Sequence, residues 1–241
     1  MSAEITVSVV SHGQNALVNA FVQDMARYCG QRISLLITQN IPDPVPLALD
    51  GLPCAVEVLD NGRRKGFGEN HNAAFLLCRT QHFCVANPDI RLRADPFPRM
   101  LETLSAEHAA AVGPLVRNLE GEVEDSARRF PTAFSLFRKL LHERRAPEYP
   151  VDRGAQRVDW VAGMFLVLHS DAFRRVRGFD ERYFLYYEDV DLCRRLGANV
   201  GPVIYEPRAE VIHDARRASR RDLRLALRHV SSALRFLARP R

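Results

Sequence analysis

Long hydrophobic runs are missing from this chain. No stretch approaches the ~18 apolar residues a membrane span needs, and the N-terminal MSAEITVSVVSHG has no basic segment ahead of its apolar residues, so it does not read as a secretory signal. A cytoplasmic protein is expected. Cysteine is scarce and unpatterned: Cys29, Cys54, Cys78, Cys84 and Cys193 show no CxxC spacing and have apolar neighbours, which favours reduced core thiols over disulfides or a zinc site. Glycine and proline, 13 and 14 of 241 residues, are too few for a collagenous or low-complexity chain. With 46% hydrophobic and 26% charged residues, disorder is excluded and a sizeable core can form, as one large α/β domain or two small ones.

Positive charge is placed unevenly. The net charge is +5, yet residues 216–241 carry nine Arg against one Asp, so the body before them is mildly acidic. The basic balance therefore belongs to a tail, and no nucleic-acid partner is expected. Within that tail Leu223, Leu227, Val230, Leu234 and Leu237 follow a helical period opposite a rim of Arg. Such a helix can dock its stripe on the body, or lie on an anionic membrane surface where each Arg contributes about 1 kcal/mol.

Apolar, β-branched runs at Ile5–Val10 and Ile33–Thr38 flank a helical spacing at Leu17, Phe21, Met25 and Tyr28, which predicts a β-α-β unit. A third strand over Ala55–Leu59, a helix through Asn72–Leu77 and a fourth strand over His82–Ala86 continue the alternation. This pattern predicts a mainly parallel sheet with ligands at the carboxyl ends of its strands. Beyond Asn87-Pro88-Asp89 the reading is a helix near Phe97–Ala106, a strand at Ala110–Val112, and a polar, Gly- and Pro-punctuated region from Pro114 to Asp159 that includes a loop. The expected division is a nucleotide half over 1–95, an acceptor half over 96–215 and a basic amphipathic helix over 216–241.

Three motifs carry chemistry. Lys65-Gly66-Phe67-Gly68-Glu69-Asn70-His71-Asn72 joins the third strand to a helix; glycines let a backbone approach a ligand, and amides at a helix entrance suit phosphate. A tight turn with Asn caps explains the same residues. Asn87-Pro88-Asp89 projects a carboxylate beyond a strand, where it could hold a hard cation or simply turn the chain. In Gly178–Arg195 aromatics converge on Glu188, Asp189 and Asp191; crowding and desolvation raise a carboxylate pKa and suit a general base, whereas Asp191 reads better as helix N-terminal capping.

In order and spacing, Ser11-His12-Gly13, GFGENHN, NPD, Val158-Asp159-Trp160-Val161-Ala162-Gly163, GFDERYFLYYEDVDLC and His213 resemble the family 2 glycosyltransferases of the rhamnosyltransferase-like branch, over roughly Ile5–Ser219. The resemblance implies a GT-A fold, a nucleoside-diphosphate sugar donor, a divalent cation (Mg²⁺ or Mn²⁺) and inversion at the anomeric carbon. It places the donor against Ser11, His12, Gly13, Asn40, Lys65, Gly66, Phe67, Gly68, Asn70, Asn87 and Asp89. Trp160 and Gly163 fall beside donor sugar and acceptor, and Arg128 or Arg129 near the diphosphate. Asp189, with Glu188, falls where the base stands, and Asp89 with His213 at the metal. Thr38-Gln39-Asn40 lacks the aspartate with which many relatives hold the nucleobase, and Asn87 replaces the first carboxylate of a DxD. A sugar such as rhamnose would pass to a lipid-linked or polysaccharide acceptor, with the enzyme in the cytoplasm or peripheral on the inner face of its membrane. A catalytically silent sugar-nucleotide-binding scaffold is the alternative that keeps the fold.

Overall fold

A computed structural model describes residues 3–132, 134–135, 147–214 and 223–239, with the backbone alone for 223–226. Part of the expected loop region and the tail residues 216–222 and 240–241 lie outside the described residues.

Strand β1 (Ile5–His12) leads through α1 (Asn15–Tyr28) to β2 (Ile33–Ile41), then β3 (Ala55–Asp60), α2 (Phe67–Phe75) and β4 (His82–Ala86). These strands pair in parallel in the order β3-β2-β1-β4. The order reverses between β1 and β4, so their carboxyl ends frame the crevice where an open α/β sheet receives ligands. Those ends are His12 and the Asn87-Pro88-Asp89 turn.

The second half adds β5 (Ile90–Arg91), α3 (Phe97–Ala106), β6 (Ala111–Arg117), β7 (Ala127–Arg128), β8 (Gln156–Val158), β9 (Trp160–Val161), β10 (Phe165–His169) and β11 (Val203–His213). The same sheet continues as β4-β10-β6-β11-β5, with β8 also on β11, while β7 and β9 form a small ribbon. Strands β1 to β4, β6 and β11 run one way; β5, β8 and β10 run against them. The sheet is thus mixed but mostly parallel, as expected.

Burial on both faces explains the near-continuous apolar strands. Ile5, Val7, Val9, Cys84 and Ala86 pack on Val18, Phe21, Val22 and Met25 of α1; Phe83, Val85, Leu166 and Leu168 face the opposite core with Phe173, Phe179 and Tyr183. All five cysteines are free thiols.

Three expectations are corrected. Strand β6 extends through Gly113-Pro114, because the facing β11 carries an irregularity between Glu206 and Glu210 that accommodates the proline. Helix α2 begins at Phe67, not near Asn72, so most of GFGENHN is helix and not loop. The C-terminal helix Leu223–Leu237 docks, but not by its stripe. It buries Ser232, Ala233 and Phe236 and leaves Leu227, Val230, Leu234 and Leu237 exposed.

Candidate active site

Two cavities meet at one pair of carboxylates. The first, about 390 Å³, lies over the β1/β4 crevice and is lined by His12, Asn40, Arg64, Lys65, Phe67, Asn70, His71, Asn87, Asp89, Gly163, Phe184, Glu188 and Asp189, among others. The second, about 560 Å³, is lined by Arg128, Arg129, Trp160, Tyr186, Tyr187, Glu188, Asp189 and His229, together with loop residues around Phe130 and Phe134. Ala162, Met164, Tyr186, Glu188 and Asp189 form walls of both.

The pair opens helix Glu188–Asn199 directly after Tyr186 and Tyr187, whose φ values of 70° and 69° put two bulky side chains in the left-handed region. Such backbone persists only when its surroundings hold it. Asp189 Oδ2 accepts the N–H of Gly163 at 2.9 Å and Oδ1 that of Val190 at 2.8 Å. Burial raises its pKa, opposed by those N–H groups and by Arg128. Glu188 is raised well above its ordinary value by burial and by the charge of Asp189, and its buried Oε2 has no partner among the described residues. Donors therefore favour the negative charge on Asp189, while burial and that charge disfavour one on Glu188.

Asp89, in the turn that follows β4, lines the same first cavity as the pair. Its Oδ1 is buried without a hydrogen-bond partner among the described residues, and its Oδ2 lies 3.2 Å from His213 Nε2. His213 Nδ1 in turn donates to Glu124 Oε2 at 2.6 Å. Burial disfavours the imidazolium, but the hydrogen bonds and charges of Asp89 and Glu124 outweigh it and push His213 up to about 10. The buried Asp89 Oδ1, unpartnered among the described residues and beside an imidazole, fits a divalent cation in its chemistry, and Glu124 would orient that imidazole. Among the described residues no three His, Cys, Asp or Glu side chains form a ready cage, so a cation bound here would need further ligands from phosphate and water.

Other expected residues divide. His12, Asn40, Lys65, Phe67, Asn70, Asn87, Asp89 and Gly163 line the first cavity; Arg128, Arg129 and Trp160 line the second, with Arg128 stacked over the Trp160 ring. Ser11 and Gly13 line neither. The Ser11 hydroxyl donates to Asn15 and accepts from Gln14 N–H, holding the entry to α1, and Gly13 turns the chain at φ +69°.

The space beside Gly66 and Gly68 is filled by protein. A Cβ on Gly66 would fall 2.7 Å from the Phe184 carbonyl oxygen, and one on Gly68 would fall 2.5 Å from Phe179 Cβ. Both glycines let α2 pack against the Phe179–Phe184 segment. The amides are also spoken for: Asn70 donates to the Gly66 carbonyl and accepts from Asn61, while Asn72 bonds both N–H and carbonyl of Phe179. Asn40 holds the backbone of Lys65 through its N–H and carbonyl. Asp191 is no cap exposed to solvent. It is fully buried, bonded to Arg195 at 2.7 Å and paired with Arg239.

Several residues escape the sequence reading. Arg64 stacks on Phe184, and Arg228 of the C-terminal helix stacks on the same ring at 4.2 Å. Burial, then the charges of these two arginines, keeps His12 below its ordinary pKa. His71 is fully buried against Ser8 Oγ, with Nε2 unpartnered among the described residues and its pKa lowered to about 3 by burial. Only its place in GFGENHN hinted at it.

No family model matches the chain. It is 30% identical to the N-acetylglucosaminyl-diphospho-decaprenol L-rhamnosyltransferase of Mycobacterium tuberculosis, over 99% of this chain and 85% of that protein. It is 31% identical to the rhamnosyltransferase WbbL of Escherichia coli, over 73% of this chain and 71% of that one. The chain belongs to the rhamnosyltransferase-like glycosyltransferases. The enzyme's fold is shared with the mannosyltransferase PcManGT from Pyrobaculum calidifontis, solved with GDP-Man and Mn²⁺, at a TM-score of 0.64 and 12% identity. It covers 98% of this chain and the chain spans 65% of that one. Staphylococcus aureus TarS 1–349 with UDP-GlcNAc gives a TM-score of 0.65 at 10% identity, covering 90% of this chain and 59% of its own. These likenesses establish a GT-A glycosyltransferase fold.

Proposed function

We propose that this glycosyltransferase moves rhamnose or a similar sugar, with inversion, from a nucleoside-diphosphate donor to a hydroxyl of a lipid-linked or polysaccharide acceptor, at the inner face of the cytoplasmic membrane. The observation that carries this reading is the placing of Glu188 and Asp189 in the wall shared by two cavities, one at the sheet's switch point and one beyond it. A hydrolase needs one substrate cavity and water; a transferase needs two substrates meeting at one base.

The donor occupies the first cavity, in the half spanning 1–95, with its diphosphate near Arg64, Lys65 and Asp89. The acceptor occupies the second, against Trp160, Tyr186 and Tyr187. Asp189, held by the Gly163 and Val190 N–H groups, accepts the proton of the acceptor hydroxyl as that oxygen bonds to the anomeric carbon and the diphosphate leaves on the opposite side. Glu188, protonated, keeps a second negative charge away from Asp189 and so leaves the base at one charge. Asp89, through the Oδ1 that lacks a partner among the described residues, and His213 Nε2 would hold a divalent cation, which when bound supplies charge neutralisation to the departing diphosphate. Arg128, in the wall of the second cavity, favours the charged form of Asp189 through its own charge.

The names of both relatives support the sugar, and that of the Mycobacterium tuberculosis protein supports the lipid-linked acceptor. A thermal-shift panel of nucleoside-diphosphate sugars, with and without Mg²⁺ or Mn²⁺, tests the donor class: a ligand at about 100 times its Kd stabilises by about 2.7 kcal/mol. A nucleoside-diphosphate rhamnose should stand out with the cation present. A flat panel would contradict the reading.

A further inference from the structure

We infer that Arg228 of the C-terminal helix and Arg64, set against one Phe184 ring, form a clamp for the donor's diphosphate beside the first cavity, which makes that helix part of the donor site. The inference rests on the reading of this cavity as the seat of a nucleoside-diphosphate sugar.

The Phe184 ring is a fixed platform. Its residue's carbonyl accepts the Phe67 N–H at 2.9 Å, and its backbone fills the space against Gly66, so the segment is tied to the start of α2. Phe184, Arg64 and Lys65 line the first cavity together. The Arg228 guanidinium lies 4.2 Å from the ring centre and that of Arg64 lies 5.7 Å from it. Contact with a ring leaves a guanidinium its N–H fork, the geometry that suits phosphate oxygens. Among the described residues neither guanidinium has a hydrogen-bond acceptor.

Charge points to the occupant. Arg63 pairs with Glu69, and Arg239 at the far end of the same helix pairs with Asp180 and Asp191. The side chains of Arg64, Lys65 and Arg228 pair with no carboxylate among the described residues. Cations gathered in this way repel one another until an anion joins them, and an anion of more than one charge gains most. Both arginines are felt inside the cavity, because after burial their charges are what hold His12, at the end of β1, below its ordinary pKa. A diphosphate has the sign, and oxygens enough for two forks. Its negative charge grows as the sugar departs, so the clamp favours departure as well as binding.

Docking of the helix does not account for Arg228. Its anchors lie elsewhere: Ser232 Oγ donates to the Leu185 carbonyl at 3.0 Å, the Phe236 ring lies 5.8 Å from that of Tyr187, and Arg239 reaches its two aspartates.

Calorimetry of the full chain with Mg²⁺ and UDP, GDP, ADP, CDP or dTDP, each against its own monophosphate, tests the clamp. For the diphosphate that wild type binds tightest, Arg228→Met should weaken binding about tenfold or more, as loss of a charge-assisted hydrogen bond does. The matching monophosphate should lose less than about threefold, and the melting temperature without ligand should not change. Arg228→Lys, which keeps the charge without the fork, should fall between. Arg64→Met, outside the helix, should show the same selective loss, and it reads the clamp independently of how the helix tolerates substitution. Wild-type diphosphate affinity in either Met variant, or an equal loss for the monophosphate, would overturn the inference and leave the donor reading standing. A wild type that binds none of the five diphosphates would sink the donor reading and the inference with it.

Discussion

The backbone N–H of Gly163 donates a 2.9 Å hydrogen bond to Oδ2 of Asp189, tying the turn after β9 to the first residues of helix Glu188–Asn199. A Cβ on Gly163 would sit 3.4 Å from Asp189 Cβ and 3.5 Å from the Phe67 ring, ordinary van der Waals contact, so alanine fits there with the N–H bond intact. Gly163→Ala should therefore leave kcat within about threefold and donor affinity nearly unchanged. Steady-state kinetics with donor titration check this. A kcat lowered by about tenfold or more would mean that the turn has no room for a side chain beside the base.

The contact between Asp89 and His213 makes cation binding depend on pH. Without a cation His213 is pushed up to about 10, so at neutral pH it is charged, and an ion can use Nε2 only by displacing the proton. Mn²⁺ affinity in the presence of donor should therefore rise between pH 6 and pH 9, with about one proton released. Calorimetry in two buffers of different ionisation enthalpy reads that proton. Asp89→Ala should remove the metal dependence of donor binding. Proton release that persists unchanged in His213→Ala would place its source elsewhere.

His71 gives the fold a pH dependence of its own. Its pKa is lowered to about 3 by burial, against 6.5 for the free side chain, so below pH 6.5 the unfolded chain binds a proton that the folded one refuses. Stability should fall by about 1 kcal/mol per pH unit as pH drops below 6.5. Urea unfolding of wild type and His71→Gln at pH 7 and pH 5 isolates this contribution. Equal losses in both proteins would rule it out.

Gly68 separates packing from ligand binding. Gly68→Ala places a Cβ 2.5 Å from Phe179 Cβ, and overpacking of this kind costs about 1–3 kcal/mol. The variant should melt lower while the folded fraction binds donor normally. Lost donor affinity at an unchanged melting temperature would instead return Gly68 to the donor site.

Strands β1 to β4 and helices α1 and α3 were legible because their apolar periods, 2 or 3.6, run unbroken between turn residues. Strand β6 hid behind Gly113-Pro114, whose local meaning is a turn; its pairing with β11 overrides that. Glycine spacing in GFGENHN could not reveal that Phe179 and Phe184, more than a hundred residues on, fill the space beside Gly68 and Gly66. The tail's period located its apolar stripe but not its docking face, because Ser232, Ala233 and Phe236 announce no stripe of their own. Asp89, Glu188 and Asp189 stand out by local chemistry and His213 by family resemblance; Glu124, Arg64 and Arg228 act through contacts distant in sequence that no local pattern encodes.

The most direct measurement is transfer of rhamnose from a nucleoside-diphosphate donor to an N-acetylglucosaminyl-diphospho-polyprenol analogue by wild type and by Asp189→Asn. The substitution keeps size at the junction of the two cavities and one of the two backbone N–H bonds, and removes basicity. Wild type should form a product of inverted anomeric configuration, and Asp189→Asn should turn over about 100-fold more slowly or worse, with donor affinity little changed. Near wild-type turnover by Asp189→Asn, or a product of retained configuration, would contradict the assignment of Asp189 as the base of an inverting transfer.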